Sequence, residues 1–389
     1  MMKDDKKRIA VIGCTGSVGS SVLDVCRSYP EKFRVTALAA ETGGTSLPAL
    51  CREFRPRRVA LRRPRGDLPE GTELLADEEA LLSIVDCDET DHVVFASSGI
   101  AAVKALSLAL RLGKEVSLAN KESALILGDR LTPALRCGAL RPLDSEHNAL
   151  WQCLAGENYD GVSQLIVTAS GGPFLRVPLE RLQSMTARQA AAHPVWSMGR
   201  KISVDSATMI NKGIELLEAH YLFGLPPQRI VPLIHPGSKV HGMVSFVDGC
   251  TKMLLSPPDM RLASLTALAW PERPKLRLAH ITPLELDGLD LHFERPRRDR
   301  FPGLFAAMDA ALAGEPYPVI LIGADEGAVQ LFLEGKIAFT DIAKIVAEVL
   351  EGYSGGAACS VDDRTALYMR CYRHTLEYGA GGAGKKVWN

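Results

Sequence analysis

Asp144 and Glu146 stand two residues apart in RPLDSEHNAL (141–150), with Ser145 between them and His147 directly after. Carboxylates that close repel unless water or a cation screens them, so the segment is either a solvated turn or one wall of a cation site. In VTASGGPF (167–174), Ser170 precedes two glycines. Such a turn can offer a hydroxyl and backbone N–H groups to an anion, although a plain hairpin-like turn has the same composition. HPVWSMGRKISVDSATMINKGIELLEAHYLFG (193–224) is denser. Ser206, Asn211 and Lys212 bring the hydroxyl, amide and ammonium donors of a phosphate site. Glu215 shares a helix face with Asn211 at i, i+4 and with Lys212 at i, i+3, so an ordinary surface ion pair explains that spacing equally well. Upstream, Pro194 to Gly199 reads as irregular. Trp196 there is either the aromatic of a lid that excludes water from a substrate or a packed core residue.

Elements must position these groups. RIAVIGCTGSVGSSVLDVC (8–26) runs from a buried apolar strand through Gly13, Gly16 and Gly19 into a helix with Val18, Val22, Val25 and Cys26 on one face. Strand, glycine turn and helix is the context in which a backbone approaches a pyrophosphate and a helix N-terminus supplies N–H donors. Further strands are expected at 33–40, 57–62, 92–97, 114–119 and 138–144, with helical stretches between several of them, which means a doubly wound parallel sheet. Two of these strands run into NKES (120–123) and DSEH (144–147), and open α/β sheets bind ligands at the carboxyl ends of strands. Lys121 is there either a surface lysine or a site residue. A helix is expected from Ser206 to Phe223-Gly224, with Met209, Ile210, Gly213, Leu216, Leu217 and Tyr221 facing a core.

The 389 residues exceed one ordinary core. A net charge of −1 gives no bulk field for nucleic acid or an anionic membrane, and no apolar stretch is long enough to span a bilayer. The nine cysteines are scattered and include no C-x-x-C, which fits reduced thiols in the cytoplasm rather than disulfides or a zinc centre. The expected fold class is α/β: a doubly wound, Rossmann-like domain comes first, 274–300 reads as an extended linker, and 301–350 carries the helical periodicity of a small bundle.

GCTGSVGSS, LANKES, LDSEHNA, TASGGPF, HPVWSMGRKISVDSATMINKGIE and IHPGSKVHGMV together closely resemble the 1-deoxy-D-xylulose 5-phosphate reductoisomerase family. The likeness runs from about residue 8 to PDMR at 258–261 and returns more weakly at 334–346. It implies a homodimeric enzyme that isomerises deoxyxylulose phosphate and reduces the product to methylerythritol phosphate with NADPH, in the non-mevalonate isoprenoid route. It also implies a dinucleotide-binding domain (1–149), a central α+β catalytic domain with a flexible lid (150–273), a linker (274–300) and a C-terminal helical domain (301–389). Matched residue by residue, it implies that Asp144, Glu146 and Glu215 hold one cation. Three carboxylates suit a hard ion, Mg2+ or Mn2+. It further implies substrate contacts from Ser145, Ser170, His193, Trp196, Ser206, Asn211 and Lys212, with Lys121, Glu146 and His193 in catalysis. The coenzyme would lie against Gly13, Thr15, Gly16, Ser17, Val18, Glu41, Asn120, Glu122, Met198 and Gly199. Two readings stand beside this one: a related phosphosugar reductase, and a cofactor-binding regulatory protein without catalysis.

Some residues depart from the family pattern. Glu41-Thr42-Gly43 stands where the family has a glycine, a basic residue or serine, and an asparagine against the 2′-phosphate of NADPH. Glu41 lies 22 residues past Gly19, near the spacing at which an acid accepts from the ribose 2′-OH of NADH. Physics therefore leans to NADH and family habit to NADPH, with a nearby arginine such as Arg55 as a phosphate ligand. IGADE (322–326) replaces an asparagine-rich NAANE, and Gly237 stands in place of a glutamine.

Overall fold

The computed structural model describes residues 6–64, 68–77, 79–192, 199–380 and 387–388. They form two compact units, Met1–Trp151 with Asp259–Pro283 and Gln152–Pro258 with Leu284–Asn389.

The first unit is built on seven strands: β1 (Lys7–Ile12), β2 (Phe33–Thr42), β3 (Arg58–Arg63), β4 (Glu73–Leu75), β5 (His92–Phe95), β6 (Glu115–Leu118) and β7 (Leu140–Pro142). All pair in parallel, in the order β4-β3-β2-β1-β5-β6-β7. The order reverses between β1 and β5, so the crevice of a doubly wound sheet opens beside the glycine turn. The expected strands are present; β2 runs two residues further, β3 is shifted by one, and β5, β6 and β7 are shorter, while β4, three residues long, carried no pattern to read. Ile9, Val11, Leu38, Val59, Leu61 and Val94 form the core with Val22, Val25 and Cys26 of helix Ser17–Ser28.

Residues 259–283 belong to this unit, whereas the sequence-based division placed most of them in a central domain. The reason is packing. Helix Met260–Ala269 buries Leu265 and Leu268 in the first unit's core, and Leu276, Leu278 and Ile281 follow them. Two cations hold the helix's last carbonyls, where its dipole is negative. Lys7 Nζ donates to Leu268 O at 3.0 Å and Arg141 to Ala267 O at 3.1 Å.

Both cations also meet Glu115. Its carboxylate accepts from Lys7 at 2.6 Å, from Arg141 twice at 2.9 Å and from His92 Nδ1 at 3.0 Å. His92 is wholly buried, and with Nδ1 donating, its Nε2 accepts from Ser117 Oγ at 2.7 Å. Burial drives the imidazole from its ordinary 6.5 to about 4, against the opposing pull of Glu115. Burial raises the Glu115 carboxyl, but the donors from His92 and Lys7 outweigh it and hold the group below the usual carboxylate range. The unfolded chain therefore takes up a proton at His92 that the folded chain refuses. This contribution is complete above pH 6.5 and is lost as pH falls from 6.5 towards 4, by about 3 kcal/mol at most. Urea unfolding at pH 7 and pH 4.5 checks this: the His92→Asn variant is expected to lose less stability than the parent over that interval, and equal losses would contradict the assignment.

The second unit carries β8 (Val162–Ala169), β9 (Ile230–Ile234), β10 (Val240–Phe246) and β11 (Thr251–Leu255) in the order β11-β10-β8-β9, with β8 and β9 parallel and the other pairs antiparallel. Four long helices follow: Pro302–Ala313, Tyr317–Leu333, Phe339–Gly352 and Val361–Leu376. Irregular chain precedes them and is stitched to β9 by paired bonds between Ile234 and Glu294 at 2.8 and 3.0 Å.

The expected single helix from Ser206 is two helices. Arg200–Thr208 ends at Met209, whose φ of +61° is left-handed, and Ile210–Phe223 starts afresh. The sequence offers no glycine to mark the break. The Met209 side chain is buried, which offsets the cost of that conformation. Departure IGADE also has a packing reason. A Cβ on Gly323 would lie 2.8 Å from Tyr368 O, and one on Gly327 would lie 2.7 Å from Thr375 Cβ. The two glycines, one turn apart, let helix Val361–Leu376 approach closely. No described helix is long and apolar enough to cross a membrane.

Candidate active site

In the first unit the chemistry-bearing residues gather at the carboxyl ends of β1, β2, β6 and β7. After β1, Gly13 turns with φ +91°, and a Cβ there would meet Ser97 N at 2.5 Å. A Cβ on Gly19 would lie 2.2 Å from Gly13 O, so this glycine lets the helix start against the strand. Gly16 is different: its nearest neighbour would be 3.4 Å away, and it caps helix Ser17–Ser28 with no side chain. Thr15, Gly16 and Ser17 are exposed, while Val18 packs on the core. A helix N-terminus is thus presented behind a bare backbone turn, which suits a pyrophosphate.

Asn120, after β6, is buried. Its Oδ1 accepts from Ser123 N at 2.7 Å, and its Nδ2 donates to Gly99 O at 2.9 Å and Ser97 Oγ at 3.3 Å. It caps helix Lys121–Leu127 and fixes the loop after β5 next to Gly13. Glu122 follows in that helix's first turn. Lys121 Nζ forms an ion pair with Asp144 Oδ2, with the two side chains only 11% and 13% exposed. The pair joins the ends of adjacent strands β6 and β7. Ser145 opens helix Ser145–Leu154 and donates its hydroxyl to Glu146 Oε2. Acidic groups at a helix N-terminus are favoured by its dipole, which accounts for part of this clustering. His147 lies under the same turn, with Nδ1 4.0 Å from Asp144 Oδ2.

In the second unit, Ser170 directly follows β8. Its Oγ accepts from Gly172 N at 3.2 Å, and Gly171 and Gly172 both have positive φ. A Cβ on Gly172 would lie 2.5 Å from Ser206 O, so the glycine turn rests directly on helix Arg200–Thr208. This brings Ser170 and Ser206 into one neighbourhood. Asn211 and Lys212 occupy the first turn of Ile210–Phe223. Glu215 Oε1 accepts from Asn211 Nδ2 at 2.6 Å, and Oε2 pairs with Lys212 Nζ. The ion pair allowed by the spacing is real, but it is not a surface pair: Lys212 and Glu215 are 4% and 2% exposed. Desolvating two charges is costly, so a buried pair is weak evidence for stability and calls for another reason.

Gly199 is the exposed N-cap of Arg200–Thr208. His193, Trp196 and Met198 lie outside the described residues, as does the rest of the 193–198 segment. Glu41, near the end of β2, sits beside Arg62 at 3.7 Å and Arg63 at 3.5 Å. The arginines beside it thus come from β3. Arg55, the one suggested by sequence, ends helix Leu47–Phe54 in a left-handed conformation. Sequence reasoning also missed Lys201, which contacts Asp205 at 2.8 Å and Asp325 at 2.7 Å. Burial and the neighbouring Asp325 push the Asp205 carboxyl upward, while Lys201 opposes them. Asp325 is the aspartate of IGADE, and nothing in local spacing linked it to residue 201.

Comparison with known proteins covers nearly the whole chain. Residues 9–128 match the family model described as 1-deoxy-D-xylulose 5-phosphate reductoisomerase. Residues 140–223 and 255–371 match the models of that enzyme's C-terminal domains. The reductoisomerase of Cupriavidus metallidurans is 46% identical over 371 residues, covering 92% of this chain and 94% of the relative. That of Chlorobaculum tepidum is 39% identical, covering 92% and 95%. Among solved structures, DOX-P reductoisomerase in complex with NADPH, fosmidomycin and magnesium matches with a TM-score of 0.86 at 34% identity, covering 96% of this chain and 98% of that one. The Zymomonas mobilis enzyme in complex with NADPH matches with a TM-score of 0.85 at 35% identity, covering 96% and 99%. Neither a different phosphosugar reductase nor a catalytically silent binding protein is favoured by these matches. The chain belongs to the 1-deoxy-D-xylulose 5-phosphate reductoisomerase family, and it is an oxidoreductase of isoprenoid synthesis that isomerises and reduces this phosphosugar.

Proposed function

We propose a residue-level division of this reaction. Asp144, Glu146 and Glu215 hold one Mg2+ or Mn2+. The chemistry of the donors supports this: three carboxylates with no thiolate suit a hard cation. A second support is that a lysine stands on two of the three, Lys121 on Asp144 and Lys212 on Glu215, as a positive stand-in. When bound, the cation supplies a Lewis acid that polarises substrate oxygens. NADPH lies over the turn Gly13, Thr15, Gly16, Ser17 and Val18, with Asn120, Glu122, Met198 and Gly199 around the coenzyme. NADH remains an alternative because of Glu41.

Ser170, Ser206, Asn211 and Lys212 bind the substrate phosphate. Lys212 is released for that task when Glu215 takes the cation. Ser145 orients the reacting end, and Lys121 holds a proton on Nζ beside it. His193 and Trp196 contact the substrate, and binding energy from the unreactive phosphate goes into its orientation. Assembly as a homodimer and a cytoplasmic location belong to the same reading and rest on the family resemblance.

One observation carries it. The dinucleotide-type turn stands at the point of reversal of the parallel sheet, and Lys121 and the Asp144–Glu146 pair stand at the carboxyl ends of β6 and β7 on the same edge of that sheet. The test is initial rate with deoxyxylulose phosphate, Mg2+ or Mn2+, and either coenzyme. Coenzyme oxidation that requires both sugar phosphate and cation is expected; oxidation indifferent to the cation would overturn the metal assignment.

A further inference from the structure

The coenzyme's ribose end is the place where family habit and the local charge disagree, and the first unit resolves the disagreement. Glu41 is at the end of β2 and Arg63 is the last residue of β3, opposite Thr42 in the parallel register. Both strand ends lie at the carboxyl edge of the sheet, on the side of β1 away from the reversal, where the adenosine ribose of a dinucleotide is read. Arg62 Nη1 is 3.7 Å and Arg63 Nε is 3.5 Å from the two oxygens of Glu41. The three side chains are between 51% and 69% exposed. At these separations the contacts are loose ion pairs, and exposed pairs are worth about 0–1 kcal/mol and are weakened by salt. The carboxylate holds the guanidinium groups in place without tying them down.

A phosphate monoester carries more charge than a carboxylate and accepts from guanidinium groups bidentately, so it competes well for such a pair. A bare ribose hydroxyl cannot displace Glu41, but it can donate to it. We propose that Glu41, Arg62 and Arg63 form the coenzyme-selecting device of this chain. The 2′-phosphate of NADPH takes the two β3 arginines from Glu41, and with NADH the same glutamate accepts from the free 2′-OH. The arginines of β3 thereby do the work of the basic residue missing after β2. NADPH remains the preferred coenzyme, while NADH is bound measurably.

The inference rests on the coenzyme placement proposed above, and the two fail differently. The experiment is calorimetric binding of NADP+ and of NAD+ to the full-length protein at fixed ionic strength, for the parent, R62A/R63A and E41Q. The double arginine variant is expected to lose about tenfold or more in NADP+ affinity, with NAD+ affinity changed by less than about twofold. E41Q is expected to bind NADP+ several-fold more tightly and NAD+ more weakly. Raising salt should reduce NADP+ affinity more in the parent than in R62A/R63A. If the parent binds both coenzymes and their affinity ratio is the same in all three proteins, the selecting device is wrong while the coenzyme placement stands. If the parent binds neither coenzyme, the placement itself is wrong and the device falls with it.

Discussion

Lys212→Met is expected to destabilise the protein by about 3–5 kcal/mol, because it leaves the Glu215 carboxylate buried with no counter-charge. Asn211 still donates to Oε1, but a neutral donor does not cancel a charge in a low-dielectric site. Adding Glu215→Gln to that variant removes the orphaned charge, and the double variant is expected to recover a large part of the loss. Urea unfolding of the parent, both single variants and the double variant closes the cycle. Strict additivity would show that the two groups do not interact. Catalysis should not return with stability. The double variant lacks the ammonium proposed for the phosphate and a carboxylate proposed for the cation, so turnover stays absent in a folded protein. That separation of stability from activity distinguishes a functional buried pair from a structural one.

Asp144→Asn carries the second large effect. Asp144 is nearly buried and paired with Lys121, so the amide changes little in shape and much in charge. Losing one of three carboxylates on a Lewis-acidic cation removes several kcal/mol of charge stabilisation, and kcat/KM is expected to fall by about a thousandfold. Steady-state rates at several Mg2+ concentrations check this. Partial rescue at high Mg2+ supports a ligand role. A loss of less than about fivefold at all concentrations would assign Asp144 to holding Lys121 alone.

Much of this was legible in the chain itself. The glycine spacing after β1 needed only the knowledge that a strand must turn sharply into a helix, and Gly13 and Gly19 prove to be sterically obligatory. Parallel strands buried on both faces read as continuous apolar runs, so the first sheet was visible apart from β4. The two possible meanings of the Lys212–Glu215 spacing differ only in burial, and periodicity cannot report which side of a helix meets other elements. The helix break at Met209 was invisible because no glycine or proline marks it. Arg62 and Arg63 are two charged residues at a strand end, and only strand order shows that they stand next to Glu41. Asp325 meets Lys201 across 124 residues of sequence, a pairing set by the packing of helices rather than by any local rule. The resemblance to a family supplied what spacing could not: the proposal that acids at 144, 146 and 215 belong to one centre.

That convergence is the central claim, and Mn2+ binding followed by electron paramagnetic resonance tests it most directly in the absence of substrate. The account predicts one Mn2+ site per chain in the parent, and its loss or strong weakening in each of Asp144→Asn, Glu146→Gln and Glu215→Gln taken singly. Full parental Mn2+ affinity in folded Glu215→Gln would contradict it.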